Sequence, residues 1–148
     1  MRRHVRVAIM AVFVSGLAGQ TGQAQGKFDW DDLGTEFCRL TQAGDMAGLQ
    51  SLLSPSLAGA IETAAARTKL QPARTLFQSY TNEVPVCQAS TRNAALVEIV
   101  RGVPGGAPTW REYLVITPVA DGTMRVDDVL FATRRSDTLR ARLSELSR

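Results

Sequence analysis

The sequence predicts an α+β fold, with N-terminal helices packed on an antiparallel sheet of about four strands and a further helix at the C-terminus. Three features predict it: apolar residues recur at helical spacing over residues 30–65, β-branched and aromatic runs follow Pro85, and a stripe of Leu139, Leu143 and Leu146 closes the chain. Helices and strands that are segregated along the chain, rather than alternating, argue against a parallel α/β sheet.

The first segment, MRRHVRVAIMAVFVSGLAGQTGQA, sets Arg2, Arg3 and Arg6 before an apolar stretch over about residues 7–18, with small residues leading to Ala24. That layout predicts a signal peptide over residues 1–24, cleaved near Ala24, and a single α+β domain over residues 25–148. The apolar stretch falls short of the roughly 20 residues a bilayer-spanning helix needs, so no stable membrane anchor is expected. A periplasmic or secreted location follows.

The first helix begins at Asp29, an N-cap with Asp31 and Asp32 in the first turn and Phe28 and Leu33 placed as a hydrophobic staple. Trp30, Leu33, Phe37 and Leu40 face inward, and Gly44 ends the helix. Asp45 caps a short second helix carrying Met46, Leu49, Leu52 and Leu53. Ser54-Pro55 pairs a capping hydroxyl with proline at the first helical position, opening a third helix with Leu57, Ile61, Ala64 and Ala65 inward. Residues 72–80 are a candidate for one more short helix.

Strands are expected over residues 86–90, 94–103, 109–119 and 123–132. A two-residue Asp121-Gly122 turn would set Ala120 opposite Thr123, Ile116 opposite Asp127 and Val115 opposite Asp128. Alternation then separates the faces. One face carries Trp110, Glu112, Leu114, Ile116, Arg125, Asp127, Val129 and Phe131; the other carries Arg111, Tyr113, Val115, Thr117, Val126, Asp128 and Leu130. The adjacent acids Asp127 and Asp128 therefore point opposite ways and cannot share a proton unless a bulge intervenes. Ser136 is expected to cap the last helix, whose basic flank of Arg134, Arg135, Arg140, Arg142 and Arg148 reads as a solvated face, with an acidic partner or lipid surface as the alternative.

Composition removes several function classes. The chain has 17 basic and 14 acidic residues, but three of the basic ones lie in residues 1–24, which leaves 14 of each sign in a neutral mature chain. The basic pI belongs to the precursor, and no nucleic-acid partner is expected. The single histidine is His4, so the mature chain lacks Ser-His-Asp and Cys-His sites and histidine metal ligands, and no metal or cofactor is predicted. Cys38 and Cys87 are the only cysteines; in an exported chain they are expected to pair as a disulfide.

Helices before a sheet, then the aromatic-rich strand WREYLVITPV leading into RVDDVLF, make residues 28–132 resemble the nuclear transport factor 2-like superfamily, which includes secreted bacterial members of unknown function. The resemblance implies a curved, cone-like sheet, a pocket between helices and sheet, and a homodimer formed through the sheet. Members include isomerases and dehydratases that use a carboxylate and a tyrosine in that pocket. No catalytic motif of theirs is matched here, so no role is carried over.

The hairpin clusters Arg111, Tyr113 and Asp128 as candidate ligand-binding residues, with Asp128 and Tyr113 the candidate acid–base pair of a histidine-independent isomerase or dehydratase. The competing role for Asp128 is a scaffold pair with Arg111 or Arg125. The leading expectation is a non-catalytic exported domain that binds a small apolar ligand or an envelope protein; a periplasmic partner-blocking, immunity-type protein is a further alternative.

Overall fold

The computed structural model describes residues 29–68, 84–132 and 136–148. The expected signal segment, the staple residue Phe28, the candidate helix at 72–80, and Arg134 and Arg135 lie outside these residues. Three helices, α1 (Trp30–Ala43), α2 (Met46–Leu52) and α3 (Pro55–Thr68), precede four strands, β1 (Val86–Asn93), β2 (Leu96–Gly102), β3 (Pro108–Pro118) and β4 (Met124–Phe131), and α4 (Leu139–Leu146) follows. The strands form one antiparallel sheet in the order β1-β2-β3-β4. The α+β class read from the sequence is the one observed.

The helix boundaries lie where the capping residues put them. Asp29 accepts a hydrogen bond from Asp31 N at 2.9 Å, and Asp45 accepts one from Gly48 N at 2.9 Å. Gly44 ends α1 at φ 65°, a left-handed conformation that costs glycine little, while Asp45 N donates back to Leu40 O at 3.0 Å. Ser54 Oγ accepts from Leu57 N at 3.1 Å to open α3. The last helix differs from expectation. Its cap is Thr138, which accepts from Ala141 N at 3.2 Å, and Ser136 lies before it.

The core lies between the helices and one face of the sheet. Leu33, Phe37 and Leu40 of α1, Leu49 of α2, Leu57 of α3, and Leu139 and Leu143 of α4 close on Val97, Ile99, Leu114, Ile116, Val126 and Val129. Each such side chain, fully buried, is worth about 1.5–3 kcal/mol. Helix α1 lies close on β1 and β2 because Gly34 has no side chain: a Cβ there would meet Ala89 Cβ at 2.5 Å and Val97 Cγ1 at 2.7 Å. One turn on, the expected disulfide joins Cys38 of α1 to Cys87 of β1, with Cα atoms 5.6 Å apart across 49 residues of chain.

The β3–β4 hairpin corrects the expected register. Its loop has three residues, Ala120, Asp121 and Gly122: Val119 N donates to Thr123 O at 2.9 Å, Gly122 takes φ 80°, and Pro118 pairs with Met124. Asp121 holds the loop by accepting from Thr123 N at 2.8 Å and Thr123 Oγ1 at 2.6 Å. The longer loop shifts the pairing by one residue, so Ile116 faces Val126 rather than Asp127. A β-bulge between Ile116 and Val115 then shifts it back, so Val115 stands opposite Asp128 as expected, and Tyr113 lies opposite Leu130. Val126 moves to the core face, and Arg125, opposite Thr117, leaves it.

Two outcomes follow. Gly34→Ala is expected to lower stability by about 1–3 kcal/mol, as overpacking does, with unchanged secondary structure by circular dichroism. Reducing the Cys38–Cys87 bond should lower it by roughly 2–4 kcal/mol, read as a lower midpoint in urea.

Candidate functional site

The bulge decides what the paired acids do. Asp127 is the extra residue in β4, and its Oδ1 accepts from Ser54 Oγ at 2.6 Å and from the Arg140 guanidinium at 2.6 Å, while its carbonyl accepts from Arg140 Nε at 2.8 Å. Asp128 Oδ1 accepts from Arg140 N at 3.0 Å and from Val129 N at 2.8 Å. Both acids thus converge on Arg140 in the first turn of α4, where amide donors and the helix dipole favour negative charge. Asp127 also reaches the cap of α3. The expected scaffold pairing of Asp128 with Arg111 or Arg125 is not formed; Arg125 donates to Ser51 O instead.

The β4 edge is closed by the same segments. Ser54 N donates to Val126 O at 2.8 Å beside a Leu53–Val126 bridge, and Phe131 N donates to Asp137 O at 2.9 Å beside a Leu130–Thr138 bridge. Arg140 and Arg142, expected on a solvated basic flank, are half-buried and spent on Asp127 and Asp137.

Tyr113 and Arg111 meet, but around Glu98, a residue absent from the sequence-derived candidates. Glu98 Oε1 accepts from Arg111 Nη1 at 2.9 Å and from the Tyr113 hydroxyl at 3.2 Å, and Arg92 donates to Oε2. The signal for it was a lone carboxylate inside the apolar run Leu96-Val97-Glu98-Ile99-Val100, which demands a partner when buried. Burial raises the Glu98 pKa, but the donors Arg111, Arg92 and Tyr113 outweigh it and hold the carboxyl below its ordinary 4.5.

On the opposite, core-facing side, Arg101 and Glu112 form an ion pair with side chains only 2% and 5% exposed. Arg101 Nε donates to Glu112 Oε1 at 3.0 Å, and its Nη2 donates to Thr41 Oγ1 at 3.1 Å, so the pair is anchored to α1. Burial raises the Glu112 pKa above 4.5, opposed by the Arg101 and Arg142 guanidiniums. Together with the apolar core, this pair occupies the space between helices and sheet where the sequence reading placed a ligand pocket.

Open space lies at the end of the sheet instead. A cleft of about 570 Å³ is lined by Pro108, Thr109, Trp110, Arg111, Phe131, Ala132 and Arg142. One of its walls is rigid: the Arg142 guanidinium lies 3.8 Å from the centre of the Phe131 ring and donates to both oxygens of Asp137, at 2.7 and 2.8 Å. Of the three candidate ligand residues, only Arg111 lines this cleft. Among the described residues, no three Cys, Asp or Glu side chains are grouped so as to hold a metal ion.

The two buried glutamates give opposite pH signatures. A lowered folded pKa means that Glu98 contributes stability above about pH 4.5 that is lost as the pH falls through the folded value. A raised folded pKa means that the Glu112 contribution is largest below about pH 4.5 and declines as the pH rises through the folded value. Urea unfolding across pH should therefore show wild type losing ground to Glu112→Gln as the pH rises, and losing ground to Glu98→Gln as the pH falls. The same slope for both variants would contradict these assignments. No protein-family model, curated protein or solved structure matches the chain, so no relative identifies the family to which the chain belongs.

Proposed function

We propose that the protein is an exported, non-catalytic binding domain whose small-molecule site is the cleft between Trp110 and Phe131. The observation that carries this reading is the cleft itself. Its volume of about 570 Å³ falls within the roughly 300–1,000 Å³ of ordinary ligand pockets, and it presents two aromatic side chains beside polar groups. The helix–sheet interior, by contrast, is filled by side chains such as Phe37, Leu57 and Leu114 and by the Arg101–Glu112 pair.

Against the isomerase or dehydratase alternative stands the use already made of its two residues. Asp128 accepts from the first turn of α4, and the Tyr113 hydroxyl donates to Glu98. A general base needs a carboxylate within reach of a substrate proton, and this carboxylate is committed to backbone amides. Export is supported by the N-terminal pattern and by a disulfide of the kind that persists in oxidising compartments. The nuclear transport factor 2-like resemblance is supported only by the layout of helices before a meander, and the binding proposal does not depend on it.

The test is a titration of purified protein with the neutral fluorescent probe N-phenyl-1-naphthylamine. Saturable enhancement is expected, weakened about tenfold by Trp110→Ala as the loss of an aromatic contact predicts, with thermal melting followed in parallel. No enhancement in folded wild type, or undiminished binding by a folded Trp110→Ala, would remove the cleft as the site.

A further inference from the structure

We infer a second binding site, on the face of the sheet turned away from the helices, where the guanidiniums of Arg92 and Arg111 receive the carboxylate of a small ligand. It is separate from the Trp110–Phe131 cleft and does not depend on it. Alternation along the strands places it. Val97, Ile99 and Leu114 point into the core with the buried side chains of the helices, so Glu98, Arg111 and Tyr113 point to the other side.

Charge is the first argument. Glu98 accepts from both guanidiniums, from Arg92 on Oε2 and from Arg111 on Oε1 at 2.9 Å. Burial opposes its ionisation, but these donors and the Tyr113 hydroxyl hold the carboxyl below its ordinary 4.5, so at neutral pH the cluster sets two cations against one anion. Asp128, which shares the Tyr113 face of the hairpin by alternation, is turned to the Arg140 amide at the start of α4 instead. The anion lies inside and the cations outside: the Glu98 side chain is 3% exposed, whereas those of Arg92 and Arg111 are 52% and 45% exposed.

Geometry supplies the second argument. A guanidinium carries five N–H donors in a fork that matches a carboxylate, and each of the two commits one to Glu98. One buried carboxylate thus orients both forks before any ligand arrives, which lowers the ordering cost of binding. The flank is apolar. Val100 lies beside Arg111 and Leu130 beside Tyr113 on the same face, all but Arg111 half-buried, and the Tyr113 ring is fixed by its hydroxyl bond to Glu98 at 3.2 Å. A monoanionic carboxylate on a small apolar body answers the single excess charge and rests on these side chains; a neutral ligand leaves the charge unanswered, and a cation is repelled.

Three probes of one shape, benzoate, benzamide and benzylammonium, test the site by nuclear magnetic resonance, read at the Nε–H signals of Arg92 and Arg111 and the amides of Glu98 and Tyr113. Wild-type protein should bind benzoate roughly tenfold more tightly than benzamide, as charge-assisted hydrogen bonds at a part-exposed site predict, and benzylammonium most weakly. Raising salt from about 0.05 to about 0.5 M should erode the advantage of benzoate, because screening acts on exposed charges. Arg92→Gln leaves one cation to one anion and should remove the preference for benzoate; if the variant fails to fold, the wild-type probe series and its salt dependence decide. Equal binding of benzoate and benzamide, unmoved arginine signals, or an undiminished preference in folded Arg92→Gln overturns the inference, and each of these outcomes leaves the cleft proposal standing on its own test.

Discussion

Strand β4 carries one residue more than the partner strand can match, and the attachment of two helices depends on where that residue is accommodated. The extra residue is Asp127, and the bulge it makes lets two neighbouring acids turn toward the same place. Asp127 holds Ser54 and Arg140, and Asp128 holds the amide of Arg140. A regular strand would have sent one of the two carboxylates into the core, where an unpaired charge is costly. With the bulge in place, Val126 fills that core position instead, and α3 and α4 start from fixed points on the sheet edge.

Two further charged clusters lie on opposite faces of the sheet. Glu112 and Arg101 share a carboxylate–guanidinium bond inside the core, anchored on Thr41. A pair so fully desolvated adds little net stability over apolar side chains of the same volume, but removing either partner alone strands the other. Glu98, on the reverse face, is held by three donors and draws Tyr113 and Arg111 away from Asp128. Glu98 and Glu112 are thus both committed to structure, and a cleft of about 570 Å³ lies at the Trp110–Phe131 end of the sheet.

Local chemistry was legible in the sequence, and long-range partnership was not. Asp29, Gly44, Asp45 and Ser54 announce helix ends because a cap acts on amides only two to four residues away. The disulfide was legible because two cysteines allow one pairing. The hairpin misled because an Asp-Gly pair fits both a two-residue and a three-residue loop, and the one-residue error from the loop is cancelled by the bulge three pairs later. Val115 opposite Asp128 was thus obtained by way of a wrong turn. That Asp128 would meet Arg140, or Tyr113 meet Glu98, depends on elements brought together only in the folded chain, and alternation alone carries no trace of it.

Asp127 and Asp128 clamp the starts of α3 and α4 to the edge of the sheet. Native-state hydrogen exchange on the Asp127→Ala/Asp128→Ala double variant tests it most directly. The account predicts that protection falls selectively at the first-turn amides of α3 and α4, at Leu57, Arg140 and Ala141, while Val97 and Leu114 in the sheet centre decline only with global stability. Unchanged protection at those first-turn amides would show that the acids do not hold the helices, and would contradict the account.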